Sequence, residues 1–203
     1  MSELAIIGGT GLTRFKRLEI ERREVMHTPY GEPSGALTFG VLREKDVVFL
    51  ARHGYGHTIP PHMVNYRANL WALQQQGVER VVAVCAVGSI RSDLTPGSIV
   101  IPDQIIDYTW SRDQTFFEAD LSKVTHIDFT EPYSGAMREQ LLEAAGQTGI
   151  TVVPNGNYGA TQGPRLETAA EINRMARDGC HMVGMTGMPE AALARELGLD
   201  YAV

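Results

Sequence analysis

The sequence predicts an α/β fold in which a largely parallel sheet is flanked by helices. Short apolar runs alternate along the chain with stretches of helical period, the pattern of repeated strand-helix units. One run, Val81 to Val87, is apolar without interruption, as expected of a central parallel strand buried on both faces. Glycine-rich or charged turns follow these runs, and in such sheets ligands gather at the carboxyl ends of the strands.

Leu4 to Ile7 reads as the first buried strand, and Gly8-Gly9-Thr10-Gly11-Leu12 as a tight turn whose backbone N–H groups could face an oxyanion. A dinucleotide fingerprint is not met, because Arg14 stands where a third glycine belongs. A phosphate contact through the Thr10 hydroxyl and the turn amides, or a plain glycine turn, both fit. From about residue 19 to 50, the turn signals Thr28-Pro29-Tyr30-Gly31 and Glu32-Pro33-Ser34-Gly35 separate short β-type runs and predict hairpins at the edge of the sheet.

The run Val47 to Leu50 leads into Ala51-Arg52-His53-Gly54-Tyr55-Gly56-His57. Arginine offers a planar fork of donors to a phosphate or carboxylate, histidine can carry charge near neutral pH, and glycine lets backbone approach a ligand. This is an anion site in outline; the alternative is a solvated loop with ordinary surface charges.

Pro60-Pro61-His62 is expected to exclude helix. Val64 to Gln76, with Val64, Ala68, Trp71 and Ala72 at helical spacing and Gly77 after it, reads as a core-facing helix. Gly88-Ser89, at the end of the valine-rich run, is a second candidate for backbone contact with a ligand. Ser98 to Pro102 and Gln104 to Asp107 read as strand. Trp110 to His126 has no period, and irregular segments of that length usually have a task.

Gly135 to Ala145 is amphipathic, and Thr151 to Val153 starts another strand. Tyr158 to Gln162 then leads to Gly163-Pro164-Arg165-Leu166-Glu167. Thr168 with Glu171 is a capping box for a helix through Ala176, ended by Gly179, so Glu167 sits just before a helix N-terminus. Met182 to Met185 reads as a short strand, Thr186-Gly187-Met188 as a turn, Pro189 to Leu197 as a helix and Asp200 to Val203 as a strand.

With 203 residues and a formal charge of -6, the chain suits one domain and no general nucleic-acid or anionic-membrane surface, which would need a concentrated basic face. The anion it handles is expected to be small. Cys85 and Cys180 each lie in apolar context, which argues against a disulfide framework or a cysteine-rich metal site and fits a reducing cytoplasm. The apolar run near the start covers only Leu4 to Ile7, so no signal peptide or membrane span is visible.

Five stretches, in this order, resemble the trimeric purine nucleoside phosphorylases: Ile6 to Leu12, Ala51 to Gly54, Val64 to Asn69, Gly163 to Thr168 and Gly184 to Glu190. The branch most alike is that of the methylthioadenosine and methylthioinosine phosphorylases, and the match runs from residue 4 to the last residue. The resemblance implies a single-domain phosphorylase fold with a central mixed, largely parallel sheet flanked by helices. It also implies a homotrimer that uses no metal or cofactor and takes inorganic phosphate as co-substrate. Phosphate would displace a purine from C1′ of a nucleoside, most simply S-methyl-5′-thioinosine, giving hypoxanthine and 5-methylthioribose 1-phosphate. S-methyl-5′-thioadenosine is the alternative substrate, and a non-catalytic trimer that binds phosphate or nucleoside is the alternative of another class.

By the same resemblance, Arg52, His53 and Glu167 carry the chemistry. Thr10, Arg52, His53, the Ala86 amide and Thr186 hold phosphate, Met185 lies against the ribose, and His126 reaches across a subunit interface toward the 5′ group. Taken alone, His126 is an ordinary loop histidine. Thr186 replaces the serine of the general purine enzymes, which favours a methylthio 5′ group. Leu166 replaces the phenylalanine that many relatives stack on the base.

Glu167 is where 6-oxopurine enzymes of the family carry glutamate. An ionised carboxylate only accepts hydrogen bonds, hypoxanthine N1 carries a hydrogen to give, and adenine N1 has only a lone pair. A buried mismatch of two acceptors costs about 1–3 kcal/mol. A helix-start carboxylate serving only the dipole is the other role open to Glu167. In the family, the strand near Tyr201 leads on to an asparagine or aspartate that bonds purine N7, and then to a helix over the 5′ pocket. Neither follows Val203, so weak or absent activity and an uncovered sheet edge and apolar surface are expected, and turnover like that of a full-length relative would contradict this.

Overall fold

In the computed structural model, which describes residues 3–12, 15–118 and 122–203, the apolar runs become short strands. In chain order they are β1 (Leu4–Gly8), β2 (Glu19–Glu24), β3 (Leu37–Leu42), β4 (Lys45–Ala51), β5 (Arg80–Ala83), β6 (Gly88–Ser89), β7 (Ile99–Val100), β8 (Gln104–Asp107), β9 (Val152–Val153), β10 (Asn157–Ala160), β11 (Met182–Gly184) and β12 (Asp200–Ala202). The helices are α1 (Tyr66–Gln75), α2 (Gly135–Thr148), α3 (Ala169–Arg177) and α4 (Gly187–Glu196). Arg14 and residues 119–121 of the irregular segment lie outside the described residues. Among those described, no helix is long and apolar enough to cross a membrane.

The expected mixed sheet has the order β12-β5-β1-β4-β3-β2. Its first four strands are parallel, and β3 and β2 add antiparallel hairpins at one edge. Beside it stand a second sheet, β6-β11-β10-β8, with β8, β10 and β11 parallel, and a two-stranded pair of β7 with β9.

The valine-rich run is divided between the two larger sheets. β5 stops at Ala83, and the chain crosses to become β6 at the edge of the second sheet. The carbonyl of Val84 is taken by the Arg52 guanidinium at 3.0 Å instead of by a strand neighbour, which removes the next rung of the ladder. Burial on both faces is therefore not met: Val81 is buried, but Val84 and Val87 are each 40% exposed.

Local signals explain the helix boundaries. α1 starts at Tyr66, not Val64, because Asn65 is its cap and accepts from the Ala68 N–H at 3.0 Å. The Asn65 side chain also donates to the Tyr30 carbonyl at 2.7 Å, and Asn69 accepts from the Ser34 N–H at 2.7 Å, so this helix pins the turns at residues 28–35. The proline pair does not exclude every helix: Pro61–Met63 forms one 3-10 turn, with proline first, where no N–H is needed.

The capping box on α3 has both of its bonds. α4 is interrupted at Met188, whose φ of -121° and ψ of 141° are extended, as sterics demand before proline. Continuous helix thus begins at Pro189, as the sequence predicts. Leu70 and Leu73 of α1 and Ala191 and Leu193 of α4 join Ala5, Ile7 and Leu50 of the first sheet and Tyr158 of the second in one core, which fixes the two sheets' carboxyl ends relative to one another.

Candidate active site

Gly8 and Gly9, at the end of β1, admit no side chain. A Cβ on Gly8 would stand 2.1 Å from the Leu12 carbonyl oxygen, and one on Gly9 would stand 2.4 Å from the Val84 carbonyl oxygen and 2.8 Å from Arg52 Nη1. The register Gly8↔Ala51 puts Arg52 just beyond this gap, and its guanidinium passes across the end of β1 to reach the chain leaving β5.

Arg52 is fully buried. Its Nε and Nη2 donate to Glu190 Oε2 and Oε1 at 2.7 and 2.8 Å, and Nη1 to Val84. The Tyr201 hydroxyl of β12 also donates to Glu190 Oε1, at 2.8 Å. Burial works against the cation, but Cys85 and the Glu190 carboxylate outweigh it and hold the Arg52 pKa well above its ordinary value. Burial, with Glu190 adding to it, raises the Tyr201 phenol, so its proton stays available to donate.

The fork of donors that the sequence offers to an anion is thus partly taken within the protein. The planar fork is closed on Glu190, because a buried cation without a counter-ion is costly. Of the five guanidinium N–H groups, three have described acceptors; the others are what remains for an anion.

The carboxyl ends of β1, β4, β5, β10 and β11 face one cavity of about 500 Å³. Thr10, Arg52, His53, Ala86 and Thr186 line it, as do Leu166, Glu167 and Met185. The structure thus brings together eight of the nine residues singled out from the sequence. The ninth, His126, is exposed and outside this cavity.

His53 Nδ1 lies 2.8 Å from the Ile59 carbonyl. A proton on Nδ1 satisfies that carbonyl, which leaves Nε2 an acceptor in the neutral ring. Burial holds the imidazole below its usual pKa, with Arg52 and His57 adding to the effect and the Ile59 carbonyl opposing it. A neutral His53 can accept the proton of a hydrogen phosphate.

Thr186 precedes α4, its hydroxyl 3.3 Å from Cys85 Sγ and its N–H donating to the buried Tyr158 hydroxyl at 3.4 Å. Tyr158 fits only because Gly184 has no side chain: a Cβ there would meet its hydroxyl at 2.1 Å.

The Thr161 hydroxyl, just past β10, donates to Glu167 Oε1 at 2.5 Å and leaves Oε2 for another donor. Glu167 is not the helix-start carboxylate. That task belongs to Glu171, which accepts from the Thr168 N–H at 2.7 Å and pairs with Arg165 at 2.7 Å, so its pKa is held down to about 2, by Arg165 first and Thr168 next. Leu166 is 80% exposed at the cavity rim.

Sequence reasoning missed Glu190, Thr161 and Cys85 as parts of the site. The one available signal was Glu190 itself, which follows Pro189 inside a stretch already singled out and is the kind of counter-ion a buried Arg52 needs.

Residues 3–203 match the Phosphorylase superfamily. A protein from Xanthomonas campestris pv. campestris named probable S-methyl-5′-thioinosine phosphorylase is 57% identical over 199 residues, which span 98% of this chain and 80% of that protein. The 6-oxopurine nucleoside phosphorylase of Pyrococcus furiosus is 50% identical over 207 residues, spanning 100% of this chain and 77% of its own. The solved structure of methylthioadenosine phosphorylase from Schistosoma mansoni in complex with adenine superposes with a TM-score of 0.94 at 35% identity, covering 100% of this chain and 80% of that one. Agreement along the whole chain in both sequence and fold means that this protein belongs to the phosphorylase superfamily.

Proposed function

We propose that the protein cleaves a purine nucleoside with inorganic phosphate, and that its preferred substrate is S-methyl-5′-thioinosine, released as hypoxanthine and 5-methylthioribose 1-phosphate. The observation that carries this reading is the single cavity, with Thr10, His53, Ala86 and Thr186 among its lining residues and the carboxylate of Glu167 on the same wall system. The names of the Xanthomonas and Pyrococcus relatives support the 6-oxopurine class.

In this reading the Thr10 and Thr186 hydroxyls and the Ala86 N–H donate to phosphate, the remaining Arg52 N–H groups add to them, and neutral His53 accepts the phosphate proton. Phosphate held beneath C1′ attacks as the C1′–N9 bond breaks, the bonding pair leaves with the purine, and the purine anion takes a proton from water to give hypoxanthine. Fixed position replaces a bimolecular encounter, and the anion stabilises the cationic sugar. Glu167 Oε2 accepts the purine N1–H, and Met185 lies against the ribose. No metal or organic cofactor enters. His126 would come from a neighbouring copy in a homotrimer, since its own chain does not bring it to the cavity. Both cysteines are free, which suits the cytoplasm.

Incubation with methylthioinosine or methylthioadenosine, with and without phosphate and with enzyme concentrated enough to register slow turnover, tests the reading through the free base. Hypoxanthine should appear only with phosphate and faster than adenine. Release without phosphate would make the protein a hydrolase, and faster adenine release would remove Glu167 from base selection.

A further inference from the structure

The irregular segment after β8 buries a cation. Arg112 is 9% exposed, and every described acceptor of its guanidinium is a neutral oxygen. Nε donates to the Gln162 side chain at 3.0 Å, and Nη2 to the Thr161 and Gln162 carbonyls at 3.2 and 2.7 Å. Nη1 donates to the Met185 and Met188 carbonyls at 2.8 and 2.6 Å, with the Tyr66 hydroxyl farther off at 3.4 Å. A guanidinium has five N–H groups, and these contacts use all of them.

Burying a charge is costly, and here a shell of dipoles offsets the loss of water. Those dipoles belong to two segments that lead to cavity-lining residues, Glu167 in one and Met185 with Thr186 in the other. Thr161 and Gln162 leave β10, and the Thr161 hydroxyl holds Glu167. Met185 and Met188 leave β11 on either side of Thr186. The cation is itself anchored from outside, because the Thr115 hydroxyl and Phe116 N–H donate to Glu196 of α4 at 2.7 and 2.6 Å, and Arg67 of α1 pairs with Asp113 and Glu118 at 2.6 Å each.

We infer that Arg112 is a positioning residue that fixes the spacing between the base-facing carboxylate of Glu167 and the phosphate-facing hydroxyl of Thr186. The inference rests on the phosphorolysis reading. A planar fork with five donors can bind both segments at once, whereas lysine offers three donors from a single point. A displacement near 1 Å in such a site costs about 10²-fold in rate.

Arg112→Met and Arg112→Lys, assayed in the whole protein at a temperature where each is folded, test it alongside amide hydrogen exchange. In the methionine variant kcat with methylthioinosine should fall about 10²-fold, with KM raised for nucleoside and phosphate alike, and lysine should recover part of the loss. Exchange at residues 160–167 and 184–188 should quicken about tenfold or more while β1 and β4 keep their protection. A lower melting temperature with wild-type kcat and KM, or unchanged exchange in either segment, overturns the inference. If the wild type releases no base, the phosphorolysis reading fails, and exchange alone then decides whether Arg112 holds the two segments.

Discussion

Glu190→Ala is expected to cost about 3–5 kcal/mol of folding stability, because it leaves the buried Arg52 cation without its counter-ion. The two side chains are 0% and 1% exposed and meet at 2.7 Å, so solvent screening takes little from that figure. The same change frees the Tyr201 hydroxyl of its acceptor and loosens the link from Arg52 to Val84. Urea unfolding should show the midpoint fall with the slope unchanged. Arg52→Met combined with Glu190→Leu should regain much of the stability, since the expense lies in the unpaired charge more than in the absent pair, yet remain poor in phosphate use. An alanine variant within about 1 kcal/mol of wild type would mean that the pair does not hold the site together.

Glu167→Gln is expected to shift kcat/KM from methylthioinosine toward methylthioadenosine by about 5- to 150-fold, the equivalent of a 1–3 kcal/mol mismatch. The direction follows from Thr161. Its hydroxyl donates to Oε1 at 2.5 Å, so in glutamine the amide oxygen takes that place and the NH₂ takes the place of Oε2. A donor there suits the lone pair of adenine N1 and opposes the N1–H of hypoxanthine. Thr161→Val, which cannot orient the amide, should weaken the shift in the double variant. An unchanged preference in Glu167→Gln would mean that the base is chosen elsewhere.

What the sequence disclosed and what it hid divide along contact range. The capping box at Thr168 and Glu171 and the glycines after α1 and α3 are local, and they lie where the sequence predicts within a residue or two, whereas the Asn65 cap that starts α1 at Tyr66 is not read from the sequence. The tight turn at Arg43 and Glu44 has positive φ at both residues without glycine or asparagine, so nothing nearby marks it. Where β5 ends and the chain crosses to the second sheet, Arg52 holds the Val84 carbonyl, a contact between residues far apart in the chain that apolar periodicity cannot register.

The site shows the same division. Thr10, Arg52 and His53 stand in glycine-rich turns whose chemistry suggests an anion, Thr186 is reached through family resemblance alone, and all four line one cavity. That Arg52 is half committed to Glu190, and that Thr161 aims Glu167, depended on the fold having brought β4 to α4 and β10 to the helix start. The resemblance also assigned His126 a task that one chain cannot perform.

Phosphorolysis as proposed needs one phosphate bound where the turns after β1, β4, β5 and β11 converge, and a crystal structure of the protein with inorganic phosphate tests that most directly. The ion is predicted within hydrogen-bonding distance of the Thr10 and Thr186 hydroxyls and the Ala86 N–H, with His53 beside it. Phosphate bound away from these groups, or no ion in the cavity at saturating concentration, would contradict it.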